Sequence, residues 1–143
     1  MLFRSSSAAL KTDQILSDGV RSAPDIRAIA TRSDHGVEVL VWNYHDDDVS
    51  AAPDSVDLTI RGLPAEMKRA LLQHYRIDSN NAFSAWKQMG SPQTPSPEQY
   101  KQLEGAGQLQ LLTSPQWIQA DGESATVKFD LPRQGLSLIK IEW

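Results

Sequence analysis

The 143-residue chain contains no cysteine, so disulfides, thiolate nucleophiles and cysteine-held metals are all excluded. That lack suits a cytoplasmic protein and is equally compatible with a periplasmic one. Long apolar runs are missing too: nothing approaches the ~20 residues of a membrane-spanning helix. The opening Met1-Leu2-Phe3-Arg4-Ser5-Ser6-Ser7 lacks the apolar core of a signal peptide, and no membrane partner is expected. Clustered positive charge is absent as well. Fourteen Lys and Arg against eighteen Asp and Glu give a net charge of -4, with no basic patch to track a phosphate backbone, so nucleic acid is not an expected partner. Finally, the chain is too short for a (β/α)₈ barrel, which needs roughly 200 residues or more, and it lacks the alternating strand and helix pattern.

What is present is a series of short strands. Residues 1–17 form a poorly defined lead-in, and residues 18–143 read as one domain. Asp18-Gly19 signals a turn and Ser22-Ala23-Pro24 a loop. Ile26, Ala28 and Ala30 alternate on one face, and Ser33-Asp34-His35-Gly36 turns the chain into Val37 to Tyr44, which makes a hairpin. That second strand is apolar on both faces, so it is either covered twice or exposes an adhesive patch. Val56, Leu58 and Ile60 alternate with Asp57, Thr59 and Arg61; Ala70 to Ile77 follows as a further strand. Leu109 to Leu112 and Ser114 to Ile118 are short extended pieces. Ala125, Val127, Phe129 and Leu131 alternate with polar residues, and Leu136 to Trp143 closes the set. The fold class that results is mainly β: an antiparallel sandwich of about seven or eight strands.

One interruption breaks the pattern at about residues 80–104, a short helical pair. Asn80 or Asn81 caps a first helix over Ala82 to Met89, which Gly90 and Pro92 stop. Ser96 with Gln99 forms a capping box, Pro97 takes the first helical position, and the second helix is expected to end near Leu103 or Glu104, with Gly105 and Gly107 as its exit.

Several constellations invite chemistry. The six glutamates (Glu38, Glu66, Glu98, Glu104, Glu123 and Glu142) fall at strand starts, loops and helix surfaces, so no catalytic pair is expected. His45 with Asp46, Asp47 and Asp48 is acidic enough for a hard cation but lacks the alternating ligands and glycine of a calcium loop; it reads as a solvated turn, and no metal or other cofactor is expected. Trp42 and Tyr44 share one strand face, where they serve as core, as a domain interface, or as a platform for a sugar ring. Trp86 and Met89, three apart on the first helix, are expected to pack onto the sandwich. His74, Arg76 and Asp78 share a strand face, read either as a polar outer face or as a docking patch.

The order His74-Tyr75-Arg76-Ile77-Asp78, Ser79-Asn80, Phe83, then Trp86-Lys87-Gln88-Met89-Gly90-Ser91-Pro92, then Pro95 through Gln99-Tyr100, carries a resemblance. It resembles a segment near the carboxyl end of β-xylosidases of glycoside hydrolase family thirty-nine, with a looser version in the α-L-iduronidases. Val39 to Asp47 and Val56 to Pro64 are similar to the same domain, so the resemblance spans about residues 18–143. One departure stands out: Asp78 runs directly into Ser79-Asn80-Asn81, where family members carry a longer link. The resemblance implies an accessory β-sandwich lying outside the catalytic barrel and silent alone. Its parent enzyme hydrolyses xylo-oligosaccharides with retention, without a metal, in xylan degradation. The acid/base that the family places after an Asn has no counterpart, since no Asn-Glu pair occurs here. The implied partners are a catalytic barrel, a second copy of the chain through an uncovered apolar patch, or xylo-oligosaccharide. The residues implied at a domain interface or sugar contact are Trp42, Tyr44, His74, Arg76, Asp78, Asn80 and Trp86.

Overall fold

A computed structural model of the chain describes residues 11–12, 25–45 and 52–143. The residue 1–17 lead-in (apart from residues 11 and 12), the Asp18-Gly19 turn, the Ser22 to Pro24 loop and the acidic run at residues 46–48 lie outside them. Among the described residues eight strands and two helices are delimited, in order: β1 Asp25–Ser33, β2 Gly36–Tyr44, β3 Asp54–Arg61, β4 Arg69–Ile77, α1 Ala82–Gln88, α2 Pro97–Ala106, β5 Gln110–Leu111, β6 Gln116–Gln119, β7 Ser124–Leu131 and β8 Leu136–Glu142. All pairings are antiparallel. One large sheet runs β1-β2-β8-β4, with β5 and β6 pairing different stretches of β4, and a small sheet consists of β3 and β7. The mainly β antiparallel architecture is the expected one.

The core lies between the two sheets and follows from the period of two. From the large sheet Val37, Val39 and Val41 of β2, Ile139 and Ile141 of β8, and Ala70 and Leu72 of β4 turn inward. They meet Leu58 and Ile60 of β3 and Ala125, Val127 and Leu131 of β7. Antiparallel partners share a face, so the register pairs of β2 with β8 and of β3 with β7 fix these layers. At the β1–β2 hairpin a side chain is not tolerated: a Cβ on Gly36 would sit 2.9 Å from the Ile141 carbonyl oxygen.

The helical pair departs from expectation at its far end. Helix α1 is capped by Asn81, whose Oδ1 accepts from the Ser84 N–H at 2.9 Å, and Gly90 at φ 84° ends it. Helix α2 carries the expected capping box between Ser96 and Gln99, but it runs through Gly105 to Ala106 and stops at Gly107. A single glycine costs a helix only about 1 kcal/mol, which does not suffice to end one that is well capped. The β5 strand shrinks to two residues, extended by one further bond from Leu112 N–H to the His74 carbonyl at 2.7 Å.

Candidate functional site

The outer faces of the two sheets differ sharply. On the small sheet the outward residues are Ser55, Asp57, Thr59 and Arg61 facing Asp130, Lys128, Thr126 and Ser124. Ser55 donates to Asp130 at 2.8 Å, Asp57 pairs with Lys128 at 3.2 Å, and Thr59 meets Thr126 at 3.2 Å. This is an ordinary solvated face.

The large sheet does the opposite. Ile29 lies opposite Leu40, Leu40 opposite Leu138, Leu138 opposite Tyr75, and Tyr75 opposite Leu111. These five residues make one apolar rib across β1, β2, β8, β4 and β5. A second rib, Trp42, Leu136 and Ile77, runs beside it two residues along. Ile29 is 59 % exposed, Leu111 44 % and Ile77 39 %, while Trp42, Leu40, Leu138 and Tyr75 are half-buried. Tyr44 stands at the margin, 54 % exposed. Trp42 and Tyr44 are therefore not core residues. Their strand buries Val39, Val41 and Asn43 instead, and the alternation sends the two aromatics outward. On the other flank the apolar band ends at a polar rib, where Lys140 reaches Glu38 at 3.2 Å and Glu142 at 3.6 Å. The hydrogen bond that Lys140 donates to Glu38 holds its ammonium above its ordinary pKa.

His74 and Arg76 are turned the other way. The expected polar outer face of β4 is in fact its inner one, because Ala70, Leu72, His74 and Arg76 share the side that meets the small sheet. His74 is 7 % exposed and sits edge-on to Phe129 with ring centroids 4.8 Å apart. Its Nε2 lies 2.9 Å from Ser137 Oγ, which also accepts from Arg76 Nε at 2.9 Å. Burial, and after it the Arg76 charge, pull the His74 pKa down to about 4. Arg76 also donates to the Asp130 carbonyl at 2.8 Å and lies 3.9 Å from Asp78; burial lowers its pKa, while Asp78 and Asp130 oppose the shift. Asp78 in turn accepts from the Asn80 backbone N–H at 3.3 Å, and its carbonyl accepts from the Asn81 side chain. His74, Arg76, Asp78 and Asn80 thus form one strut from the core to the start of α1.

Asn43 and Ser137 are buried polar residues that the sequence pattern did not single out. Asn43 donates to Asp54 at 2.8 Å and to the Leu131 carbonyl at 3.2 Å, and it accepts from His45 Nε2 at 3.1 Å. Its backbone pairs with Gly135 and Gln134. It ties β2, β3 and the β7–β8 turn together, a structural role.

Trp86 and Met89 are not among the partly buried residues packed against the core between the sheets. The two helices pack mainly against each other, and none of their residues is fully buried. Trp86 stacks on Phe83 at 5.8 Å and donates to the Pro92 carbonyl at 3.0 Å, while Lys87 covers the Phe83 ring at 4.6 Å. All six glutamates are exposed. Glu38 and Glu142 line a hollow of about 430 Å³ beside the β1–β2 hairpin, but both are turned to the same Lys140 ammonium. Among the described residues no group of three or more His, Cys, Asp or Glu is placed to hold a metal, and no helix is long and apolar enough to cross a membrane.

No family model and no curated protein matches the chain. Solved structures do. The GH39 enzyme from Xanthomonas axonopodis pv. citri superposes with a TM-score of 0.64 at 15 % identity, over 80 % of this chain and 25 % of its own. A monomeric β-xylosidase from Caulobacter crescentus gives 0.60 at 21 %, over 80 % and 26 %. The bacterial orthologue of human α-L-iduronidase gives 0.62 at 21 %, over 93 % and 23 %. The chain therefore has the fold of a part of these glycoside hydrolases and spans about a quarter of their length.

Proposed function

We propose that this chain is a non-catalytic accessory β-sandwich of a glycoside hydrolase similar to the family-thirty-nine β-xylosidases, acting on xylo-oligosaccharides through a catalytic barrel that residues 1–143 do not contain. The supporting observation is the shared fold, which takes up 80–93 % of this chain and only 23–26 % of each neighbour. The polar chemistry of the chain fits a scaffold. A retaining glycosidase needs two free carboxyl groups about 5–5.5 Å apart across the sugar. Here the two glutamates that share a hollow are both engaged by one lysine. The purified chain is expected to leave a chromogenic β-xyloside unhydrolysed; saturable turnover by the chain alone refutes the proposal.

A second reading rests on the exposure of Tyr44 beside Trp42 on a flat sheet face. Aromatic faces of that kind stack on sugar rings, which would make the chain a carbohydrate-binding module. It predicts that xylo-oligosaccharides quench tryptophan fluorescence and that Trp42→Ala removes the quenching. A flat titration disposes of it.

A further inference from the structure

We infer that a hydrogen-bonded chain starting at His74 in the core holds the helical pair in place, and that protonation of His74 releases the pair ahead of the sandwich, whatever larger protein the chain serves.

Two features of the fold lead to this. First, both ends of the helical excursion are fastened to one short stretch of β4. The chain leaves that strand at Ile77 and enters α1 past Asp78, whose carboxylate accepts from the Asn80 N–H at 3.3 Å and whose carbonyl accepts from the Asn81 side chain. Asn81 in turn caps α1, accepting from the Ser84 N–H at 2.9 Å. After α2 the chain returns as β5, which sets Leu111 against Tyr75 and Gln110 against Arg76, and the Leu112 N–H reaches the His74 carbonyl at 2.7 Å. Entry and exit both depend on how residues 74–78 are held.

Second, the side chains that hold this stretch from within converge on one hydroxyl. Ser137 Oγ lies 2.9 Å from His74 Nε2 and accepts from Arg76 Nε at 2.9 Å, so the two nitrogens are no more than twice that distance apart. With a neutral imidazole this bridges β4 to β8. An imidazolium sets a second positive charge on the oxygen already shared with a guanidinium, which keeps its proton at any pH of interest. Nothing around the ring offsets that charge: β7 offers the Phe129 ring, β8 offers the Ser137 hydroxyl, and the charge that bears on His74 is that of Arg76. Asp78 and Asp130 act on Arg76 instead. A guanidinium pushed off Ser137 disturbs its contact with Asp78, 3.9 Å away, and through Asp78 the cap of α1. The release is local because the other half of β4 is fixed separately. Ala70 and Leu72 lie in the core, and Arg69 to Leu72 pair with β6.

Amide hydrogen exchange of the 143-residue chain between pH 6.5 and 4.5, corrected for the intrinsic pH dependence of exchange, supplies the test. An opening that brings His74 to water binds a proton that the closed state, with its pKa near 4, refuses. Protection of Ala85 and Met89 in α1 is therefore expected to fall at least fivefold as the pH drops, and by roughly 75-fold where the opening frees His74 completely. Val39 and Val41 in the core are expected to stay the slower to exchange throughout. Flat protection of α1 across this range, or exchange of α1 only in step with those core amides, overturns the inference. In His74→Gln the pH dependence of α1 is expected to vanish, and its persistence overturns the inference as well. Asp78→Asn cuts the chain outside the core. There the imidazole NMR signals of His74 are expected to titrate as in the wild type while α1 no longer responds to pH; an undiminished response of α1 in that variant sinks the coupling.

Discussion

Acid should loosen this sandwich through His74. The imidazole is 7 % exposed, wedged between Phe129 of β7 and Ser137 of β8, with the Arg76 guanidinium on its own strand and Asp130 and Asp78 beyond. Burial and the Arg76 charge lower its pKa from 6.5 to about 4. The sign follows directly. Between those values the unfolded chain binds a proton that the folded one refuses, so stability falls as the pH drops through that window and is complete above about 6.5. At about 1.36 kcal/mol per pH unit a shift of that size is worth about 3 kcal/mol when complete. The assay is urea unfolding of the wild type and His74→Gln at pH 7, 6, 5 and 4.5. Glutamine does not titrate, so the variant starts about 1 kcal/mol lower at pH 7 and the gap closes or reverses by pH 4.5. Shared carboxylate effects cancel in the difference. Parallel loss of stability in the two proteins would refute the placement of a neutral His74 in the core.

Asn43→Ala leaves the Leu131 carbonyl and the His45 donor without their buried partner and frees Asp54, and it should cost about 3 kcal/mol in chemical denaturation. Ile139→Ala empties a fully buried site between the sheets and should cost about 2–5 kcal/mol, read in the same experiment without a change in m-value. Ser96→Ala removes the capping box of α2, worth about 1 kcal/mol. Because the helices pack mainly on each other, faster amide exchange is expected in α2 with little change in the strands, as seen by hydrogen exchange.

Much of the architecture was legible in the residues themselves. The alternation of Val56, Leu58 and Ile60, or of Ala125, Val127 and Phe129, fixes a strand and its inner face because side chains repeat every two residues, and Ser96 with Gln99 fixes a helix start because the bonds are local. Even the double-sided apolar character of β2 was visible, and with it the warning of an uncovered face. Leu136 and Leu138, alternating out of phase with Ile139 and Ile141, carried the same signal on β8 and went unread. What no stretch of sequence contains is which strands lie side by side. The rib of Ile29, Leu40, Leu138, Tyr75 and Leu111 exists only because β8 inserts between β2 and β4, a pairing of residues about a hundred positions apart for the first of them. The inward turn of His74 and Arg76 is of the same kind. Period two says that they share a face with Ala70 and Leu72, but only the layer formed by β7 decides that this face is inside.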